Sequence, residues 1–155
     1  MTGLAEWDEM AHGSGPGDDA ARESGEKGRV VVVVGAHPRA EEHDRPLAYA
    51  LIKAIGARGG RAGVCTDLWY LNDADLRRRA TLSLGGPGVN ALSASLIGTL
   101  PHVLTVHDRY AVQFDPEWTD ALACVWGVDT RGTSTATAMF IERYLSGFLR
   151  AAATR

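Results

Sequence analysis

The residues of this chain whose types and spacing suit chemistry fall in three short loops and one turn. The loop Gly85-Gly86-Pro87-Gly88-Val89-Asn90 sets three glycines within four positions. Glycine tolerates positive φ and has no Cβ, so such a loop lets a ligand lie against backbone N–H groups. The loop Gly127-Val128-Asp129-Thr130-Arg131-Gly132-Thr133 offers the hydroxyls of Thr130 and Thr133 and the charge of Arg131 to a phosphate. Asp129 in the same loop suits acid–base work, a bond from a ribose hydroxyl, or a turn cap. Gly35-Ala36-His37-Pro38-Arg39 supplies His37, a side chain that titrates near neutrality and suits general acid–base catalysis. The turn His107-Asp108-Arg109 adds Arg109 as an anchor for an anionic group. The expected site therefore has His37 and Asp129 as its reactive groups. Its expected ligand contacts are Gly85, Gly86, Gly88, Asn90, Arg109, Thr130, Arg131 and Thr133.

Each feature also has a purely structural reading. Asn90 and the threonines are ordinary helix N-caps. A strand-end histidine is commonly held by backbone groups, and His107-Asp108-Arg109 reads as an exposed turn. Several chemistries are excluded outright. The glycine loop lacks the Gly-Lys-Ser/Thr of a phosphate loop and does not follow the first strand, where a Gly-x-Gly-x-x-Gly fingerprint belongs. No Gly-x-Ser-x-Gly elbow supplies a nucleophile. The five histidines are scattered, and no metal-ligand pair emerges. No cofactor is specified by the sequence. Cys65 and Cys124 stand in separate apolar segments and read as small buried hydrophobes.

Three resemblances attach to these loops. Ala36-His37-Pro38 after a valine strand is similar to the start of zinc-dependent deacetylases bearing Ala-His-Pro-Asp-Asp-Glu. Here Arg39 and Ala40 replace the two aspartates and no His-x-x-His follows, so that reading is set aside. Residues 29–55 resemble the opening of flavodoxin-like NAD(P)H:quinone and FMN reductases, which implies an FMN cofactor and oxidoreductase activity. Glu41 and Glu42 stand where serine or asparagine would cradle the FMN phosphate. The Gly-Gly-Pro-x-x-Asn loop resembles loops of uncharacterised bacterial and archaeal α/β domains and implies no activity.

The elements that must position these loops follow from hydrophobic periodicity. Arg29 to Gly35 is continuously β-branched and predicts a strand buried on both faces. A loop over Ala36 to His43 leads to a helix through Leu47, Ala50, Leu51, Ala54 and Ile55, with Pro46 in its first turn and Gly59-Gly60 at its end. Arg61 to Thr66 predicts a second strand. Asp67 to Arg79 predicts a loop and then a short helix. Ala80 to Leu84 is a third strand, and Asn90 caps a helix to about Thr99. His102 to Val106 and Leu122 to Trp126 are further strands, with Tyr110 to Phe114 an extra strand or hairpin. Thr133 to about Ala152 is the last helix. Strands alternating with helices predict an α/β, three-layer doubly wound, mostly parallel sheet of Rossmann-like or flavodoxin-like kind, with an antiparallel edge strand around Tyr110 to Phe114.

Composition bounds the rest. Of 155 residues, 45% are hydrophobic and 23% charged, which suits one packed domain over residues 29–155. Residues 1–28 hold seven acids and two bases, a net of −5, which leaves +2 on the other 127 residues of a chain whose total is −3. That acidic segment has no apolar periodicity and reads as a disordered tail. A core so near neutral predicts no nucleic-acid partner. No apolar run approaches the roughly 20 residues of a membrane span, and no secretory signal is visible, so a cytoplasmic location is expected. The expected function is binding of a nucleotide or phosphorylated small molecule, an anionic ligand, at the C-terminal edge of the sheet. The alternatives are a flavodoxin-like oxidoreductase, or a non-enzymatic module acting through a protein partner or homo-oligomer, for which the acidic tail and Leu68 to Leu71 speak.

Overall fold

Five consecutive valines, Val30 to Val34, are completely buried, and that run organises the molecule. In a strand, alternate side chains point to opposite faces. Val30, Val32 and Val34 accordingly enter one apolar cluster, and Val31 and Val33 enter another. A strand buried on both sides needs helices on both sides, and the computed structural model, which describes residues 29–154, supplies them.

The order of elements is β1 (Arg29–Val34), α1 (Pro38–Ala57), β2 (Arg61–Thr66), α2 (Asp67–Asn72), a 3-10 turn (Leu76–Arg78), β3 (Ala80–Leu84), α3 (Ala91–Leu96), β4 (His102–Val106), β5 (Tyr110–Phe114), β6 (Leu122–Gly127), α4 (Thr130–Arg143) and α5 (Leu145–Ala153). They form an α/β domain around one mixed six-stranded sheet of order β2-β1-β3-β6-β5-β4. β2, β1, β3 and β6 run parallel, and β5 runs against both of its neighbours. The first cluster packs α1, α4 and α5 on one face, through Leu51, Phe140 and Phe148. The second packs α2, the 3-10 turn and α3 on the other, through Tyr70, Leu76, Leu92 and Leu96.

Several boundaries differ from those expected. The antiparallel strand is not at the edge: β5 lies between β6 and β4, and β4 is the edge. The chain leaves α3, passes to the far side and fills inward as a meander. Its first hairpin turns through His107 and Asp108, with φ of 48° and 53°. The Arg109 N–H donates to the Val106 carbonyl at 2.8 Å, and because Val106 pairs with Tyr110 the connection is three residues long.

α1 starts at Pro38, eight residues before Pro46. Proline is tolerated in a first helical turn, where its missing N–H costs nothing, and His37 caps the helix. Pro46 sits inside the helix. The buried face runs through Ala40, Asp44, Arg45, Ala48, Leu51 and Ile55, so two charged residues interrupt the apolar stripe. Arg45 is balanced by Glu41, which accepts from Nε at 2.9 Å and Nη2 at 3.0 Å.

In the middle segment the order is reversed, with helix α2 immediately after β2 and the 3-10 turn later. Thr66 makes that early start by capping Trp69. The last helix begins at Thr130 rather than Thr133 and breaks at Tyr144. Both cysteines are buried and free. Burial pushes Cys65 up to about 12 and Cys124 up to about 11, which keeps both thiols protonated and unreactive. No helix among the described residues is long and apolar enough to cross a membrane. The acidic segment 1–28 lies outside the described residues.

Candidate functional site

β1 and β3 are neighbours, yet their connections leave for opposite faces. α1 joins the first cluster and α3 the second. The sheet therefore opens a crevice beyond the carboxyl ends of these two strands, the place where open α/β sheets bind ligands. A cavity of about 530 Å³ occupies it, within the range of small-molecule sites. His37, Arg39, His43 and Asp44 border it from the β1 side, Gly86 to Val89 from the β3 side, and Trp126 to Thr130 with Thr133 from the β6 side. Three of the loops singled out by sequence thus meet at one cavity.

Asp67 holds two of those loops in place. Its carboxylate is buried and accepts three backbone N–H bonds, from Ala36 at 2.9 Å, Leu68 at 2.8 Å and Ala91 at 2.7 Å. Ala36 belongs to the loop after β1, and Ala91 begins α3 after β3. One side chain therefore ties the two loops that flank the crevice. The loops also touch directly. A Cβ on Gly35 would overlap the Val89 carbonyl, so only glycine fits where these backbones cross.

Asn90 completes the frame. It is 1% exposed. Its Nδ2 donates to the carbonyls of Val33 at 3.2 Å and Leu84 at 2.9 Å, and its Oδ1 accepts from Leu92 N and Ser93 N. The amide joins the ends of β1 and β3 to the start of α3 and has nothing left for a ligand. Gly85, with φ of 105°, lies against Asp44, whose carboxylate a Cβ at that position would strike. Neither Gly85 nor Asn90 borders the cavity, and neither do Arg109 and Arg131. Arg109 reaches the β6 loop through its backbone, where its carbonyl accepts from Val128 N at 2.8 Å. The hairpin turn fixes that contact, and the Arg109 side chain is exposed. Arg131 is exposed in the first turn of α4.

The remaining expected residues do border the cavity: His37, Gly86, Gly88, Asp129, Thr130 and Thr133. Their freedom differs. His37 Nδ1 accepts from Arg39 N at 3.2 Å, which leaves the proton of the neutral ring on Nε2. Asp129 caps α4, its Oδ1 accepting from Gly132 N at 2.7 Å. The Thr133 hydroxyl accepts from Gly127 N at 3.1 Å and donates to the Asp129 carbonyl at 3.1 Å, so it shapes the loop. Trp126 is oriented by an Nε1 bond of 2.6 Å to Gln113 Oε1. Gln113 is itself fully buried and donates to the carbonyls of Ile97 and Leu100.

The residue that sequence reasoning missed is Asp44. It is 5% exposed, borders the cavity, and its carboxylate accepts no hydrogen bond among the described residues. Burial pushes it up to about 6, and the neighbouring His43 pulls it only partly back. With no donor among the described residues, the Asp44 carboxylate is open to a donor or a proton only from the cavity that it borders. A signal existed: an acid at the register of Ala40, Ala48, Leu51 and Ile55 on the apolar face of a helix. The late helix start assigned to this segment hid that register.

No protein-family model matches the chain, and no curated protein is similar to it in sequence.

Proposed function

We propose that this chain binds a nucleotide or phosphorylated small molecule in the cavity beyond the carboxyl ends of β1, β3 and β6. The observation that carries this reading is the convergence of three loops at a crevice between neighbouring strands whose helices leave for opposite faces. It goes with reading the domain as a three-layer, doubly wound α/β fold, in which that crevice is the binding place. The N-terminal turns of α1 and α4 border the cavity at His37, Arg39, Asp129 and Thr130. Both helices are long, at 20 and 14 residues, and their first N–H groups and dipoles favour an anion. The Arg39 guanidinium and the Thr130 hydroxyl add charge and a donor for a phosphoryl group. Gly86 and Gly88 leave the β3 side of the cavity free of side chains.

Thermal unfolding with a panel of inorganic phosphate, ribose 5-phosphate and nucleoside monophosphates tests this reading. A ligand at a hundred times its Kd stabilises the fold by about 2.7 kcal/mol, a rise in Tm of several degrees for a domain of this size. Arg39→Ala removes most of that rise. A panel that leaves Tm unchanged refutes the reading.

A further inference from the structure

We infer that Asp44 is the acceptor for the hydroxyl groups of a sugar ring in the ligand of this cavity. The inference deepens the anion-binding reading above and rests on it for the location of the ligand. Three observations on Asp44 carry it. The side chain is 95% removed from solvent yet borders the cavity. It accepts no hydrogen bond among the described residues, whereas Asp67 and Asn90 nearby are each fully engaged by backbone groups. It is pressed against Gly85, where no Cβ fits, so the fold holds the carboxylate in position without satisfying it. A carboxylate in that condition takes O–H or N–H donors from whatever enters.

The charges around the cavity indicate which donors. The titratable groups that border it are His37, Arg39 and His43 from α1 and its cap, and Asp129 from the loop before α4. The β1 and β3 strands and the Gly86 to Val89 segment contribute none. Two carboxylates, Asp44 and Asp129, face one guanidinium and two imidazoles. A bare phosphate is repelled at the Asp44 end and attracted at the Arg39 end. A sugar phosphate suits both, with hydroxyls at Asp44 and phosphate at Arg39 and the α4 N-terminus. Trp126, held by Gln113, adds an aromatic surface that suits the C–H face of a sugar ring.

Hydroxyl donors favour the ionised carboxylate, so a bound sugar must lower the titration midpoint of Asp44, which burial has raised to about 6. The test is an NMR titration of the full-length chain labelled with 13C at the aspartate carboxyl carbons. Asp44→Asn assigns the Asp44 signal, and amide signals report on Arg39 and Thr130. D-ribose, D-ribose 5-phosphate and inorganic phosphate are the probes. The expected result is a midpoint lowered by about one pH unit or more with ribose 5-phosphate and with excess ribose. One unit corresponds to tenfold tighter binding to the ionised form. Inorganic phosphate should perturb Arg39 and Thr130 without lowering the midpoint. Asp44→Asn, with its near-identical shape, should weaken ribose 5-phosphate at least tenfold and leave inorganic phosphate unweakened.

Phosphate binding with an Asp44 midpoint indifferent to both sugars overturns the inference and leaves the anion reading standing. Ribose lowering the midpoint while phosphate perturbs nothing supports the Asp44 role and overturns the anion reading. Silence from all three probes overturns both.

Discussion

Two carboxylates are buried beyond the same strand ends, and they are used in opposite ways. Asp67 is 4% exposed and accepts three backbone N–H bonds that tie the loop after β1 to the start of α3. Asp44 is 5% exposed and accepts none among the described residues. Backbone donors offset the desolvation of the first, whereas His43 offsets only part of that of the second, and burial raises Asp44 to about 6. Burial alone therefore does not distinguish a structural acid from a functional one. The number of internal partners does, because a group that the fold has satisfied has nothing left to offer a ligand.

Substitutions at the two sites should separate them by sign. Asp67→Ala leaves three backbone donors without their acceptor and frees both loops. It should destabilise the chain by about 3–5 kcal/mol, measured by chemical denaturation. A cost under about 1 kcal/mol would show that the loops hold without it.

Gly85→Ala should cost about 2 kcal/mol, from positive φ and from contact with the Asp44 carboxylate. Roughly half should return in an Asp44→Ala background, where only the φ strain remains, and a double-mutant cycle reads that coupling directly.

Asp44→Asn has the smallest effect and the opposite sign. A carboxyl raised in the folded state favours folding in its protonated form. That contribution is complete below about 4, the unfolded value, and is lost as pH rises through about 6. Asp44→Asn should therefore exceed the parent in stability at pH 7.5 by about 1–2 kcal/mol, with the advantage gone near pH 4. A variant less stable than the parent at pH 7.5 would place Asp44 with Asp67 as a structural group.

Much of the scaffold was readable because its signals are local. The valine run announces a doubly buried strand, and each of β1 to β6 falls where periodicity and breakers put it. The three loops were recognisable from glycine, histidine and threonine at strand ends. What escaped was set by distant contacts. Proline at position 46 reads as a helix start, whereas the capping histidine and Pro38 do that work. Asp44 and Arg45 made the first turns of α1 look polar, because their burial depends on Gly85 and on Glu41 rather than on any apolar neighbour in sequence. Asn90 carries the same amide whether it binds a ligand or joins two strand ends. Only the carbonyls of Val33 and Leu84 decide between those uses, and Val33 lies 57 residues away. The place of β5 inside the sheet follows from the meander, which no local pattern specifies.

The Asp67 bonds also bear on the order of folding. Its partners Ala36 and Ala91 lie 31 and 24 residues away along the chain. The Ala36 bond needs β1 and β2 side by side, and the Ala91 bond needs β3 in place as well. Contacts of that span carry a loop-closure cost that local helix and turn contacts do not. The cavity, framed by the loops that Asp67 joins, is therefore complete only when all three strands are paired.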